Sequence, residues 1–127
     1  LPRLKTDLFE ILHLCIDEKL NEVEIKWTEQ KSLCVVLCSN GYPDKYEKNI
    51  IINNFEKLNL NENNYLFHAG TKKKDDKIYA AGGRVLNFIS LSKNFIDARK
   101  NIHKNLEKLS WNKGFYRKDI GHKVIDK

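Results

Sequence analysis

The chain has 127 residues and a formal net charge of +6, from 23 Lys plus Arg and 17 Asp plus Glu. This length suits one domain with a single hydrophobic core, and no run of about 18 apolar residues is present that could form a membrane-spanning helix. The first residues lack an apolar stretch followed by a small-residue cleavage site, so the sequence predicts no secretory signal. It also contains no Met, as expected of a processed product or a piece of a longer protein.

The positive charge is concentrated in the second half of the chain. Residues 1–64 carry 8 positive and 11 negative side chains, whereas residues 65–127 carry 15 and 6. A basic half is typical of proteins that bind phosphate on nucleic acid, a membrane or a small ligand. However, 19 of the basic residues are Lys and 14 residues are Asn, a bias that an AT-rich genome imposes. The four arginines are therefore the stronger candidates for binding anions.

The three cysteines predict neither a disulfide framework nor a zinc site. Cys15, Cys34 and Cys38 are an odd number, with no CxxC pair and no Cys/His spacing suited to zinc. We expect reduced, buried thiols in a cytoplasmic protein.

In chain order, the first predicted element is a helix that Thr6 caps. Its apolar residues recur at helical spacing up to Ile16, and it is expected to end near residues 19–21. Alternation over residues 23–27 predicts a strand, and the nearly continuous apolar run at 32–39 predicts a central strand. We expect these two strands to form a hairpin.

The middle of the chain is predicted to form short elements joined by polar loops. They are a loop at 40–44, a strand at 50–52, a helical turn at 55–58, a loop at 59–64, a strand at 65–69 and a charged loop at 72–76. Residues 77–81 and 84–91 are then predicted to form a second hairpin around Gly82 and Gly83.

The last third begins with a predicted helix that Ser92 opens. Its apolar face carries Phe95, Ala98, Ile102, Leu106 and Leu109. Residues 111–127 are expected to be a basic, irregular tail that Phe115 and Tyr116 anchor, although basic residues interleaved with aromatic ones can also mark single-stranded nucleic-acid binding. Hairpins with helices near both ends predict a single α+β domain over residues 1–127 with a largely antiparallel sheet.

The most specific local signal for a binding site is Gly82-Gly83-Arg84. Two glycines allow close backbone approach to a ligand, and an arginine at the start of a strand can bind an anion with its planar fork. A plain hairpin turn with a solvated arginine is the alternative. His68, at a strand end, suits an anion contact, a proton shuttle or a structural hydrogen bond. Hydrolase, P-loop and dinucleotide fingerprints are not present.

Five stretches, in order along the chain, share the pattern of one enzyme family. They are residues 2–8 (PRLKTDL), 41–43 (GYP), 67–71 (FHAGT), 82–86 (GGRVL) and 116–122 (YRKDIGH). Together they resemble the C-terminal domain of glycinamide ribonucleotide synthetases, ATP-grasp enzymes that are also called phosphoribosylamine–glycine ligases. The resemblance covers nearly the whole chain and implies an α+β domain like the hybrid motif of other ATP-grasp ligases.

The resemblance implies a part in purine biosynthesis. In this family, ATP phosphorylates the carboxylate of glycine, and the amine of 5-phosphoribosylamine attacks the acyl phosphate, with Mg²⁺ or Mn²⁺ assisting. The ATP clamp and the metal ligands of the family lie in segments that precede Leu1. The implied partners are the N-terminal and ATP-grasp domains and small-molecule substrates, with no nucleic acid and no membrane, and this chain alone is expected to bind no cofactor and to be inactive.

The resemblance also assigns roles to individual residues. It implies that Arg84, backed by Gly82 and Gly83, binds the substrate phosphate. Further residues are implied to line the cleft, and these are Arg3, Lys5, His68, Gly70 and Thr71. Removing the other domains should expose an apolar patch. The alternative function is that of a free-standing basic module that binds nucleic acid or another protein.

Overall fold

The computed structural model describes residues 1–125 and has the α+β architecture that the sequence predicts. Its helices and strands are α1 (Leu8–Ile16), β1 (Lys31–Ser39), β2 (Ile50–Ile52), β3 (Asn64–His68), β4 (Thr71–Lys74), β5 (Lys77–Ala80), β6 (Arg84–Ser92), α2 (Phe95–Leu106), β7 (Gly114–Phe115) and α3 (His122–Ile125). Short 3-10 turns occur at Leu20–Glu22 and Phe55–Lys57. No helix in the described residues has both the length and the apolar character needed to cross a membrane.

Two antiparallel sheets form the body of the molecule. The larger sheet has the strand order β3-β6-β1-β7, and the smaller one has the order β2-β5-β4. Helix α2 packs against β1 and β6, where the alternating side chains Val35 and Phe88 are fully buried with Ile102 of the helix. One face of the larger sheet therefore lies against α2 and forms the core.

The opposite side of the larger sheet, which we call the outer face, remains open to solvent. The side chains that alternate away from the core are Cys34, Val36 and Cys38 of β1, Asn87 and Ile89 of β6, and Tyr65 and Phe67 of β3. They are exposed or half-buried, and Phe67 has 46% of its surface accessible. The outer face is thus a largely apolar surface that the described residues leave uncovered except at its Leu91 end, which is buried beside the N-terminal segment.

Helix α1 has a cap one residue later than predicted. The carboxylate of Asp7 accepts hydrogen bonds from the backbone N–H groups of Phe9 (2.7 Å) and Glu10 (3.3 Å). The prediction of Thr6 as the cap is wrong, because its hydroxyl donates to the carbonyl of Glu24 and accepts from the N–H of Lys26. The helix also ends at Ile16 rather than near residues 19–21.

The apolar face of α1 contacts little of the remaining chain. None of its residues is buried, and Phe9 and Ile16 are 78% and 80% exposed. Its main neighbour is the short turn Leu20–Glu22. The expected exposed apolar patch is confirmed at this helix.

Both predicted hairpins are wrong. Residues 23–27 form no strand beyond the single bridge between Leu4 and Trp27, and β1 pairs instead with β6 along its length and with β7 at Cys38 and Ser39. The second pair, β5 and β6, lie in different sheets. Instead β5 pairs with β4, in a segment predicted to be a loop, through a two-residue turn in which Asp75 and Asp76 both have positive φ.

The C-terminal part is more regular than predicted. Asn94, not Ser92, caps α2 by accepting from the N–H of Asp97. The tail contains β7 and α3 rather than irregular chain alone, and the last two residues of the prediction, 126–127, lie outside the described residues. Tyr116 packs against the core and the ring of His103, so the expected anchoring of the tail by this aromatic residue is confirmed.

The prediction that all three cysteines are buried is also wrong. Cys15 and Cys34 are exposed, and Cys38 is partly buried. The first lies on the uncovered helix α1, and the other two lie on the outer face. Burial nevertheless raises the pKa of the thiols of Cys34 and Cys38 above the ordinary value.

The weak packing of α1 makes a simple prediction about stability. Phe9→Lys and Ile16→Lys are each expected to change the free energy of unfolding by less than about 0.5 kcal/mol, because neither side chain is buried. The control Ile102→Ala should lower it by about 2–5 kcal/mol, since that side chain is fully buried. Urea denaturation of the 127-residue chain measures both. A loss at α1 as large as that of the control would show that the helix packs on the core.

Candidate functional site

Four of the residues singled out by the sequence meet at the start of β6. The backbone N–H of Gly70 donates to the carbonyl of Arg84 (3.0 Å), and the N–H of Gly82 donates to the carbonyl of Gly70 (3.0 Å). We call this place the glycine corner and define it as Gly70, Gly82, Gly83 and Arg84. The corner carries the chain from the smaller sheet into the larger one.

The glycines of the corner are required by packing within the protein. A Cβ on Gly70 would lie 2.6 Å from the carbonyl oxygen of Arg84 and 2.8 Å from the Cα of Gly82. A Cβ on Gly83 would overlap the ring of Tyr42. The space that these glycines leave is therefore filled by the protein's own backbone and by the ring of Tyr42. This packing fixes where β6 begins.

A β-bulge decides which way Arg84 points. Leu37 pairs with Leu86, but the next residue of β1, Cys38, pairs with Arg84, so β6 contains one extra residue, Val85. Strict alternation from Leu86 would place residue 84 on the buried side of the sheet. The extra residue reverses this and sets Arg84 beside Cys38 on the outer face, as bulges near functional sites commonly do.

Arg84 is exposed and has a free guanidinium. It makes no hydrogen bond or ion pair with any other residue in the range 1–125. Its positive charge lowers the pKa of the neighbouring Cys38 thiol and so partly offsets the rise that burial causes. A planar, permanently charged fork with no internal acceptor is suited to a phosphate or carboxylate ligand.

Three of the residues implied to line a cleft lie near the corner. Gly70 belongs to it, and Thr71 follows directly at the start of β4. The Nδ1 atom of His68 is 3.0 Å from the hydroxyl oxygen of Thr71, and the imidazole ring stacks on Phe55 with 5.8 Å between centroids. His68 is therefore held in place by structural contacts, although it remains exposed.

Arg3 and Lys5 lie elsewhere. The guanidinium of Arg3 donates to the carbonyl oxygen of Thr28, with its Nη2 at 3.0 Å, and both residues border a pocket with Leu91 near the far end of β6. At about 3.3 Å per residue, that end of β6 is roughly 25 Å from Arg84. The structure does not bring these two residues to the glycine corner.

Sequence reasoning missed two neighbours of Arg84. Cys38 lies beside it on β1, and Phe115 of β7 pairs with Cys38 from the other side. These residues complete a row across three strands that only the sheet register reveals. Close by in sequence, the Arg117 fork donates to both oxygens of Asp119 and holds the pKa of that carboxyl below its usual range. Among residues 1–125, no group of three or more His, Cys, Asp or Glu side chains is arranged to hold a metal ion.

Comparison with known proteins identifies the family. The family model described as "Phosphoribosylglycinamide synthetase, C domain" matches residues 32–123. The chain belongs to this family. The match of this C domain begins one residue inside β1 and leaves α1 outside the matched region.

Individual relatives agree with this assignment to the C domain. The chain is 38% identical over 122 residues to a phosphoribosylamine–glycine ligase of Fusobacterium nucleatum, covering 95% of this chain and 29% of the relative. It is 43% identical over 128 residues to the bifunctional purine biosynthetic protein purD of Dictyostelium discoideum, covering 99% and 16%. The chain thus spans less than a third of the length of either relative.

A solved structure shows the same fold. The crystal structure of a phosphoribosylamine–glycine ligase from Thermotoga maritima matches with a TM-score of 0.65 and 30% sequence identity. The match covers 88% of this chain and 28% of that protein. Sequence and structure therefore agree that the chain resembles one segment of a longer ligase.

The packing of the glycine corner predicts a loss of stability from one added methyl group. Gly83→Ala is expected to lower the free energy of unfolding by about 1–3 kcal/mol, because the new Cβ overlaps the ring of Tyr42. Chemical denaturation of Gly83→Ala, Tyr42→Ala and the double variant measures the effect. The double variant should lose less than the sum of the single losses, since the overlap is then removed. Additive losses would show that the ring is not the obstacle.

Proposed function

We propose that this chain is the C-terminal portion of a phosphoribosylamine–glycine ligase, which uses ATP to join glycine to 5-phosphoribosylamine in purine biosynthesis. The reaction gives glycinamide ribonucleotide, ADP and phosphate and takes place in the cytoplasm. The observation that carries the proposal is the free guanidinium of Arg84 at the edge of an uncovered apolar face. In this role the chain completes the substrate side of the site and supplies none of the groups that hold ATP.

Two uncovered surfaces support docking by other domains of the same enzyme. Helix α1 lies outside the matched C domain and exposes Phe9, Leu12 and Ile16. The outer face adds a second apolar surface beside β1, whose sequence is apolar on both sides, as is typical of strands covered on both faces. Exposed apolar area of this kind marks an interface.

Arg84 and the N-terminal segment share one side of the sheet. Tyr65, on the outer face, also borders the pocket that Pro2 and Arg3 line. A domain that continues upstream of this segment and lies over the outer face would reach Arg84 at the opposite end of β6. The arrangement allows the guanidinium to meet a ligand held by that domain.

In this proposal Arg84 binds the phosphate ester of 5-phosphoribosylamine. A charge-assisted, two-pronged hydrogen bond would neutralise the phosphate and hold the amine in line with the activated glycine. ATP, with Mg²⁺ or Mn²⁺ bound by the upstream domains, supplies the activation of the glycine carboxylate. The residues of this chain bind and orient the amine substrate.

The proposal predicts a specific kinetic change in the intact ligase. Arg84→Ala should raise the KM for phosphoribosylamine by roughly 10- to 100-fold, as expected for the loss of a hydrogen bond to a charged group. The KM for glycine and for ATP should change less than threefold, and Arg84→Lys should restore part of the loss. Steady-state kinetics with each substrate varied in turn provides the measurement.

Lys77→Ala is the matched control, because it removes the same charge from an exposed position at the start of β5. It should leave all three KM values unchanged. Equal effects of Lys77→Ala and Arg84→Ala would indicate a general effect of charge and would refute the phosphate role. Ligase turnover by the 127-residue chain alone would contradict the proposed division of labour.

A further inference from the structure

Ser39, the last residue of β1, is a polar residue at a core position beside the glycine corner. It follows Leu33, Val35 and Leu37 on the buried side of the strand, and only 2% of its surface is accessible. Burying a hydroxyl is costly unless it forms a hydrogen bond. The reason for a serine at this position therefore lies in the hydrogen bonds that it makes.

The hydroxyl and the backbone N–H of Ser39 hold two consecutive carbonyls of the glycine corner. The Oγ atom donates to the carbonyl oxygen of Gly82 (2.8 Å), and the N–H donates to the carbonyl oxygen of Gly83 (2.8 Å). The second of these carbonyls belongs to the peptide unit that joins Gly83 to Arg84. Ser39 thus fixes the orientation of both peptide planes that lead into Arg84.

The peptide unit that follows Arg84 is held as well. Its carbonyl oxygen accepts from the N–H of Gly70 (3.0 Å). The backbone of Arg84 is therefore fixed on both sides, while its guanidinium makes no hydrogen bond or ion pair within residues 1–125. A charged fork without a partner on a firmly held backbone is the arrangement of a binding group that is in place before its ligand arrives.

The restraint is needed because two adjacent glycines precede Arg84. Glycine has the widest range of backbone conformations, so Gly82 and Gly83 leave the direction of the next residue poorly defined unless their carbonyls are held. A bulkier residue cannot supply the restraint at position 83, because a Cβ there would overlap the ring of Tyr42. The hydrogen bonds from Ser39 take its place.

Ser39 is itself held from two other directions. Its carbonyl oxygen accepts from the N–H of Tyr42 (3.1 Å), and it pairs with Gly114 of β7. The serine therefore connects the glycine corner to β1, to the loop that follows β1 and to β7. Its hydroxyl acts from a fixed position.

We propose that Ser39 is a positioning residue for the substrate phosphate, because it sets the place from which Arg84 reaches the phosphate ester of 5-phosphoribosylamine. This inference rests on the phosphate role proposed above for Arg84. It adds that a hydroxyl which does not touch the substrate is required for tight binding of that substrate. A hydrogen bond between neutral groups contributes less than one to a charged group, so the effect of losing it is smaller than that of losing Arg84.

The test is a double-variant cycle in the intact ligase, in which Ser39→Ala, Arg84→Ala and their combination are compared by steady-state kinetics. Ser39→Ala should raise the KM for phosphoribosylamine about 3- to 10-fold and change the KM for ATP and for glycine less than about twofold. In the Arg84→Ala background the same substitution should change the KM for phosphoribosylamine less than about twofold, since Ser39 acts through the guanidinium. A purely structural role predicts the same fold-change in both backgrounds.

Val35→Ala is the control for a general loss of stability. The Val35 side chain is fully buried in the same strand, but it pairs with Phe88 rather than with the glycine corner. At a temperature where far-ultraviolet circular dichroism shows every variant to be folded, Val35→Ala should leave the KM for phosphoribosylamine unchanged.

Ser39→Cys provides a second variant at the same position. A thiol is close to a hydroxyl in size but is a weak hydrogen-bond donor, so Ser39→Cys should raise the KM for phosphoribosylamine by a smaller factor than Ser39→Ala. If Ser39→Ala fails to fold, the double-variant cycle is carried out with Ser39→Cys.

Three results would overturn the role of Ser39. They are an unchanged KM for phosphoribosylamine in both Ser39 variants, equal fold-changes with and without Arg84, and an equal rise in Val35→Ala. Failure of the proposed function gives a different result: Arg84→Ala itself would then leave this KM unchanged, and both proposals would be wrong. A raised KM in Arg84→Ala together with any of the three results would remove the role of Ser39 alone.

Discussion

The antiparallel pairing of β1 with β6 is the constraint on which the rest of the structure depends. It runs from Lys31 opposite Ser92 to Cys38 opposite Arg84 and sets the position of every neighbouring element. Helix α2 covers one side of this pair, β3 and β7 extend it, and the glycine corner fixes where β6 enters it. Because only one side is covered, the central sheet has a complete core and an apolar surface at the same time.

The long elements and the fold class could be predicted from the sequence because their signals are local. The apolar run of β1 and the helical spacing of α2 are each carried by consecutive residues. Strand partners were not predictable in this way. The assumption that neighbours in sequence pair with each other gave two wrong hairpins, since residues 23–27 form no strand and the chain crosses between sheets at Gly82 and Gly83. The β4 strand was missed because its lysines have the composition of a loop.

The candidate site was predictable in its residue types but not in its geometry. The motif around Arg84 is evident in the sequence, and the structure brings Gly70 and Thr71 to it, whereas the register of β3 places the side chain of His68 on the core side of the sheet. Arg84 and Arg3 lie near opposite ends of β6. The order of residues along the chain does not reveal this distance between them. The misjudged cysteines have an instructive cause: the apolar run of β1 indicates burial on both sides, whereas residues 1–125 cover only one. The apolar run of β1 is in keeping with the docking that we propose for the outer face.

The extra residue in β6 has a consequence for how the family can vary. Val85 reverses the alternation of the strand, so the outward direction of Arg84 depends on the number of residues between the glycines and Phe88. Removing one residue there would turn the guanidinium into the hydrocarbon interior, where an unpaired charge is not tolerated. Insertions and deletions among relatives should therefore accumulate in the polar loops, such as residues 40–49, and be excluded from residues 82–88.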